Sequence, residues 1–137
     1  MYLLNCEFTE NITQNGRKGN FYRYNIDNKV RFWFSDEVDE KGKHYILQVH
    51  TQILDNNLKG FEIYIDMDED NFYYKSIRIV APNFVGTVKE SQQFIEKLEL
   101  IADLCDIINS FFMSEYPEIR KLNSQGGKLC DKKDKTQ

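Results

Sequence analysis

The chain has 137 residues, 41% of them hydrophobic and 14% aromatic, and carries a net charge of −4. That length suits one domain with a real core and is too short for two comfortable ones. Lys128–Gln137 hold four Lys against two Asp, a surplus of two that leaves −6 on the remainder, which argues against a general nucleic-acid binder with a basic face.

Before Ala81 the pattern is almost entirely that of strands at period two. Tyr2, Leu4, Cys6 and Phe8 share one face of the first. In the second, Phe21–Asp27, the residues Tyr22, Tyr24 and Ile26 are in phase. Asn28 turns the chain into Val30–Ser35, where Val30, Phe32 and Phe34 oppose Arg31 and Trp33. His44–Ile53 follows, with Tyr45, Leu47, Val49 and Ile53 against Ile46, Gln48, His50 and Gln52. Phe61–Met67 alternates Phe61, Ile63, Ile65 and Met67 with Glu62, Tyr64 and Asp66, and Phe72–Val80 is the last strand. Connections such as 39–43 and 68–71 have hairpin chemistry.

Thr87-Val88-Lys89-Glu90 fits a capping box and opens a long helix, Thr87–Tyr116. Phe94, Leu98, Ile101, Cys105, Ile108 and Phe112 form one apolar stripe, and Leu100, Leu104, Ile107 and Phe111 flank it. At roughly 100° per residue the two span about half the circumference. A single sheet normally covers one such stripe, so a homodimer or higher homo-oligomer through the 87–116 helix is the simplest way to cover both. Pro117 ends or kinks the helix, 117–124 offers a short second one with Ile119 and Leu122 inward, and the lysine-rich 125–137 reads as a disordered tail. The expected fold is α+β: an antiparallel β-meander of five to six strands followed by a long C-terminal helix packed on one sheet face, a single domain over 1–124.

The three cysteines are widely spaced and odd in number, so a disulfide framework is not expected and a reducing, cytoplasmic setting fits. Met1–Cys6 lacks the charged start and apolar core of a signal peptide, and no run reaches the roughly 20 apolar residues of a membrane span. In a meander the loops alternate ends. The connections at 9–20, 36–43 and 68–71 gather Asp36, Glu37, Asp39, Glu40, Asp68, Glu69 and Asp70 at one acidic pole, while the helix start falls at the other with Lys29 and Lys59.

Two constellations stand out as binding sites. In 81–87 a loop runs into a helix N-terminus, where free amides and the helix dipole favour an anion. There Phe84 offers a stacking surface and Asn83 a bidentate amide, Gly86 and Thr87 complete the segment, and Arg78, Lys29 and Lys59 lie nearby in this topology. The same residues would equally serve to plug the sheet edge and cap the helix. Arg23, Arg31 and Trp33 lie opposite the core phase on adjacent strands, a setting that suits stacking of a planar ligand or a partner chain, or an ordinary surface cation–π pair. Asp66–Asp70 begins like an EF-hand loop, but Asn71 stands where the glycine belongs and Ile77 where the bidentate glutamate belongs. No metal and no cofactor is expected. His44 and His50, the only histidines, have no nucleophile at recognisable spacing, so an enzyme is not expected either.

The order of elements across 1–124, with the Asn83-Phe84 pair before the long helix, resembles small phage-encoded anti-defence proteins, in particular the Thoeris anti-defence sponges. That resemblance implies capture of a cyclic ADP-ribose type signal without catalysis, and it assigns no residue. The alternative is a protein-binding inhibitor, anti-CRISPR-like or a nucleic-acid mimic, acting through the acidic pole.

Overall fold

The computed structural model describes residues 4–14, 16–38, 41–42, 44–68 and 74–124. Its strands are β1 (Leu4–Gln14), β2 (Arg17–Ile26), β3 (Val30–Val38), β4 (His44–Tyr45), β5 (Gln48–Ile53), β6 (Glu62–Met67) and β7 (Tyr74–Val80). They form one antiparallel sheet in the order β1-β2-β3-β5-β6-β7, with β4 beside the far end of β3. The helix α1 (Val88–Ser110) follows, continued by a wide turn at Phe111–Glu115 and by α2 (Tyr116–Ser124). The α+β meander with a long C-terminal helix is therefore the fold.

The strands with strict alternation behave as their sequence dictates. In β3, Val30, Phe32 and Phe34 are buried, and in β6 Ile63, Ile65 and Met67 are. Asp27 and Asn28, both at positive φ, make the two-residue turn whose twist suits a β2–β3 hairpin. The Asn25 carboxamide accepts from the Asn28 amide at 2.7 Å and fixes it.

Two bulges overturn the expected phase elsewhere. In β1 the ladder pairs Cys6 with Tyr24 but Phe8 with Arg23, so Glu7 is an extra residue. Because side chains alternate, one extra residue sends everything beyond it to the other face. Leu4 and Cys6 face the core, while Phe8 sits on the open face against Phe21, 5.9 Å between ring centres. The other bulge lies in the expected strand His44–Ile53. Glu37 pairs with Tyr45 but Trp33 with His50, again one residue out of step. Ile46 is consequently buried and Leu47 is 51% exposed, the reverse of the periodic reading. The expected loop at 9–20 is mostly ladder, running to Gln14 opposite Arg17. Tyr2, Asp39, Glu40, Glu69, Asp70 and the tail 125–137 lie outside the described residues.

Helix packing supplies, within one chain, the cover that both apolar stripes need. Ile101, Leu104, Cys105, Ile108, Phe111 and Phe112 are all buried in the single chain, and Phe94, Leu98, Leu100 and Ile107 pack partly buried against the same core. The chain's own sheet covers both stripes, because its inner face spans six strand positions and carries Tyr22, Tyr24, Phe32 and Phe34 up to the helix. Phe111 lies 4.7 Å from Tyr24, and Phe112 lies 4.8 Å from Phe34. The wide turn lets Phe111, Phe112 and Tyr116 face inward together, and the Tyr116 amide bonds to the carbonyl of Phe111, five residues back. It also relieves the clash that the Pro117 ring would make with the carbonyl four residues before it. The helix thus passes Pro117 instead of ending there. Ile119 packs on the core as expected, but Leu122 is 38% exposed.

At the junction of sheet and α2, Asp36 is 5% exposed and accepts from the Tyr116 hydroxyl, with the Arg120 Nε 4.0 Å away. Asp36 therefore belongs to the core and not to an acidic pole.

Candidate functional site

The helix start is built as a cap. Thr87 Oγ1 accepts from the Glu90 amide at 3.2 Å, and the Glu90 carboxylate accepts from the Thr87 amide at 3.2 Å and from its hydroxyl at 2.9 Å. These bonds hold the Glu90 carboxyl below its usual range. A carboxylate thus already lies on the helix N-terminus, and an incoming anion would meet it. Phe84 leans on Phe94, 4.9 Å between centres, and Phe94 on Phe61, 5.7 Å, so the ring closes the sheet end. A Cβ at Gly86 would stand 2.9 Å from the Phe84 ring, so glycine there is what lets the ring fold back. Asn83 is exposed beside it. Arg78 does not join this group: it alternates with the inward Ile77 and Ile79 and lies on the other face of the sheet, its guanidinium 4.6 Å over the Tyr64 ring. Lys29 pairs with Asp55 at 3.7 Å, in a depression that also holds Glu96 and Lys97, charges of both signs.

The open face of the sheet, away from the helix, brings together the other half of the expected site. Register places Arg23 opposite Trp33, Trp33 opposite His50, and Tyr64 opposite Arg78. The Trp33 and His50 rings stack at 5.9 Å with planes 13° apart. Between them and Tyr64 the sheet opens. The β5–β6 ladder has only the pairs Gln48–Asp66 and Val49–Ile65, and beyond these the Thr51 hydroxyl bridges to the Ile63 carbonyl at 2.8 Å. The resulting cleft, about 360 Å³, is lined by His50, Tyr64, Gln48 and Glu62 among others. A second hollow of about 270 Å³ lies on the other side of His50, toward Trp33 and Leu47. Across five strands the face therefore reads cation, aromatic, aromatic, cleft, aromatic, cation.

The charges on this face are held in place. Arg31 grips Glu7 with two nitrogens, Nε at 2.7 Å and Nη2 at 3.3 Å, and its Nη1 donates to Gln52 at 3.3 Å. The Arg31 hydrogen bond keeps the Glu7 carboxyl below its ordinary value. The Arg23 guanidinium lies 5.3 Å from the Phe8 ring, and its Nε is 3.7 Å from Glu7. Tyr64 donates to Glu62, and that neighbouring carboxylate raises the phenol's pKa.

Arg23, Arg31 and Trp33 thus share one face as expected, but Trp33 stacks on a histidine and both arginines lie against the one Glu7 carboxylate. Alternation in the sequence puts Tyr64 and His50 outward, where the structure has them. Phe8 reaches this face only through the bulge, which leaves no mark on the hydropathy pattern, whereas Glu7 faces outward by plain alternation with Leu4 and Cys6. The side chain of His44 lies outside the described set. Among the described residues no group of three His, Cys, Asp or Glu is placed to hold a metal ion, and no helix is long and apolar enough to cross a membrane. No family model, curated protein or solved structure matches the chain.

Proposed function

We propose that this chain is a non-enzymatic, cytoplasmic binding protein that captures a nucleotide-derived molecule on the open face of its sheet. The observation that carries the reading is the cross-strand row Arg23–Trp33–His50–Tyr64–Arg78, with a cleft opening inside it. A planar base needs flat rings to stack on, and a phosphate needs arginine forks, and this row supplies both within four strand spacings of about 4.8 Å. The cleft is at the small end of the roughly 300–1,000 Å³ typical of ligand pockets, which suits a mononucleotide-sized unit. Stacking contributes about 1–3 kcal/mol per base and a charge-assisted bond about 1.5–3 kcal/mol. After the costs of association, micromolar affinity is the expectation, about 8 kcal/mol.

Within this class the layout resemblance points to a defence signal of the cyclic ADP-ribose kind, sequestered to counter an antiphage response. The proposal needs only one chain, and assembly through the 87–116 helix forms no part of it. The acidic-pole alternative has lost Asp36 to the core, and Asp39, Glu40, Glu69 and Asp70 lie outside the described residues.

The test is calorimetric titration with AMP, GMP, ADP-ribose and cyclic ADP-ribose. Trp33→Ala and Arg78→Gln are expected to weaken binding at least tenfold, and Phe84→Ala to leave it unchanged. A flat panel, or binding that fails with Phe84→Ala and survives Trp33→Ala, would overturn the proposal.

A further inference from the structure

We infer that Arg23 and Arg31 form a phosphoryl-binding subsite on this face, and that the Glu7 carboxylate is its built-in competitor. The inference rests on the reading of the open face as a ligand site, and it adds where the phosphate goes and what restrains it.

The geometry begins with the bulge. As the unpaired residue between Cys6 and Phe8, Glu7 belongs to β1 yet reaches across β2 to Arg31 on β3. A carboxylate has two oxygens in one plane, and Arg31 takes both, at 2.7 and 3.3 Å. Arg23 is left short. Its Nε is 3.7 Å from the nearer oxygen and is a buried donor without a hydrogen-bond partner. An unmet buried donor is costly, and it marks a place where a better acceptor gains.

A phosphoryl group is that acceptor. It carries three oxygens in a tetrahedral fan, so two can occupy the Arg31 fork while the third turns to Arg23 Nε. Charge points the same way, since two guanidinium groups face one carboxylate and the cluster keeps a net positive charge. Phe8 holds Arg23 from below, and Gln52 holds the remaining Arg31 nitrogen. The subsite adjoins the stacking rings, because Arg23 is the direct cross-strand partner of Trp33. A base on Trp33 and His50 would therefore bring its phosphate to the two arginines.

The experiment compares AMP with adenosine on the full chain by calorimetry, using wild type, Glu7→Gln, Glu7→Asp and Arg31→Gln, with circular dichroism to confirm folding. If Glu7 holds the fork nine-tenths of the time, freeing it tightens AMP by about tenfold. Glu7→Gln is thus expected to bind AMP about tenfold more tightly and adenosine no differently. Glu7→Asp, one methylene shorter, should shift AMP in the same direction by less, and Arg31→Gln should abolish the preference for AMP over adenosine. If AMP and adenosine bind alike, or if removing the Glu7 carboxylate weakens AMP, the inference is overturned while the open-face reading stands. If neither binds any variant, the open-face reading fails and the subsite with it.

Discussion

Tyr116→Phe removes a single hydroxyl and tests how α2 is fastened to the sheet. Tyr116 is 1% exposed, its hydroxyl donates to Asp36, and Asp36 is itself 5% exposed. A hydrogen bond to a charged, buried acceptor contributes about 1.5–3 kcal/mol, and its loss also leaves the carboxylate one donor poorer. We expect destabilisation of about 2 kcal/mol, and for a domain of this size a melting temperature lower by roughly 6–10 °C. Urea unfolding followed by circular dichroism should show the midpoint fall with the slope unchanged. The pH dependence supplies an independent sign. Burial and Asp36 raise the Tyr116 phenol well above the ordinary tyrosine value, so the folded chain keeps a proton that the unfolded chain loses. The contribution is full below the unfolded pKa, near 10, and falls as pH rises beyond it by about 1.4 kcal/mol per unit. The gap between wild type and Tyr116→Phe should therefore narrow above about pH 10. A variant within about 0.5 kcal/mol of wild type, or a gap constant across the alkaline limb, would refute the reasoning.

Three further substitutions probe other joints. Ile108→Ala is expected to cost about 2–5 kcal/mol, because Ile108 is 1% exposed and packs on the chain's own sheet. A change in light-scattering mass with no loss of stability would contradict that placement. Thr87→Ala removes the cap and should cost about 1 kcal/mol in thermal unfolding while leaving ligand affinity intact, since the cap lies on the far side of the sheet from the stacking row. At the β4–β5 bulge, Leu47→Ser should shift stability by no more than about 0.5 kcal/mol and Ile46→Ser by several times that. The opposite order in urea unfolding would put the bulge elsewhere.

The sequence made legible those strands whose alternation nothing interrupts. Val30–Phe34 and Ile63–Met67 could be assigned to the core residue by residue, and so could the outward Trp33 and Tyr64. Bulges defeat this logic, because one added residue at Glu7 or at 46–47 reverses the faces without altering composition. The polar run Glu10–Gln14 reads as loop, yet it pairs with β2 through its backbone, which sequence periodicity does not report. Arg78 is the instructive case for the site. The topology puts it near the helix start, but Ile77 and Ile79 on either side require it to point to the other face. The stripes of α1 are wide, yet a sheet of six strand positions, lined with Tyr and Phe, covers much of such a helix by itself, so their width alone does not require a second copy.

Trp33 is the only tryptophan in the chain, and it stands in the proposed ligand row, stacked on His50. Its fluorescence is therefore a direct reporter of the central claim, that a nucleotide-like ligand lies on the open sheet face. Titration with AMP and ADP-ribose should change Trp33 emission saturably, at the same midpoint in wild type and in Phe84→Ala. A ligand that binds by calorimetry while leaving Trp33 emission unchanged would place the site elsewhere and contradict the account.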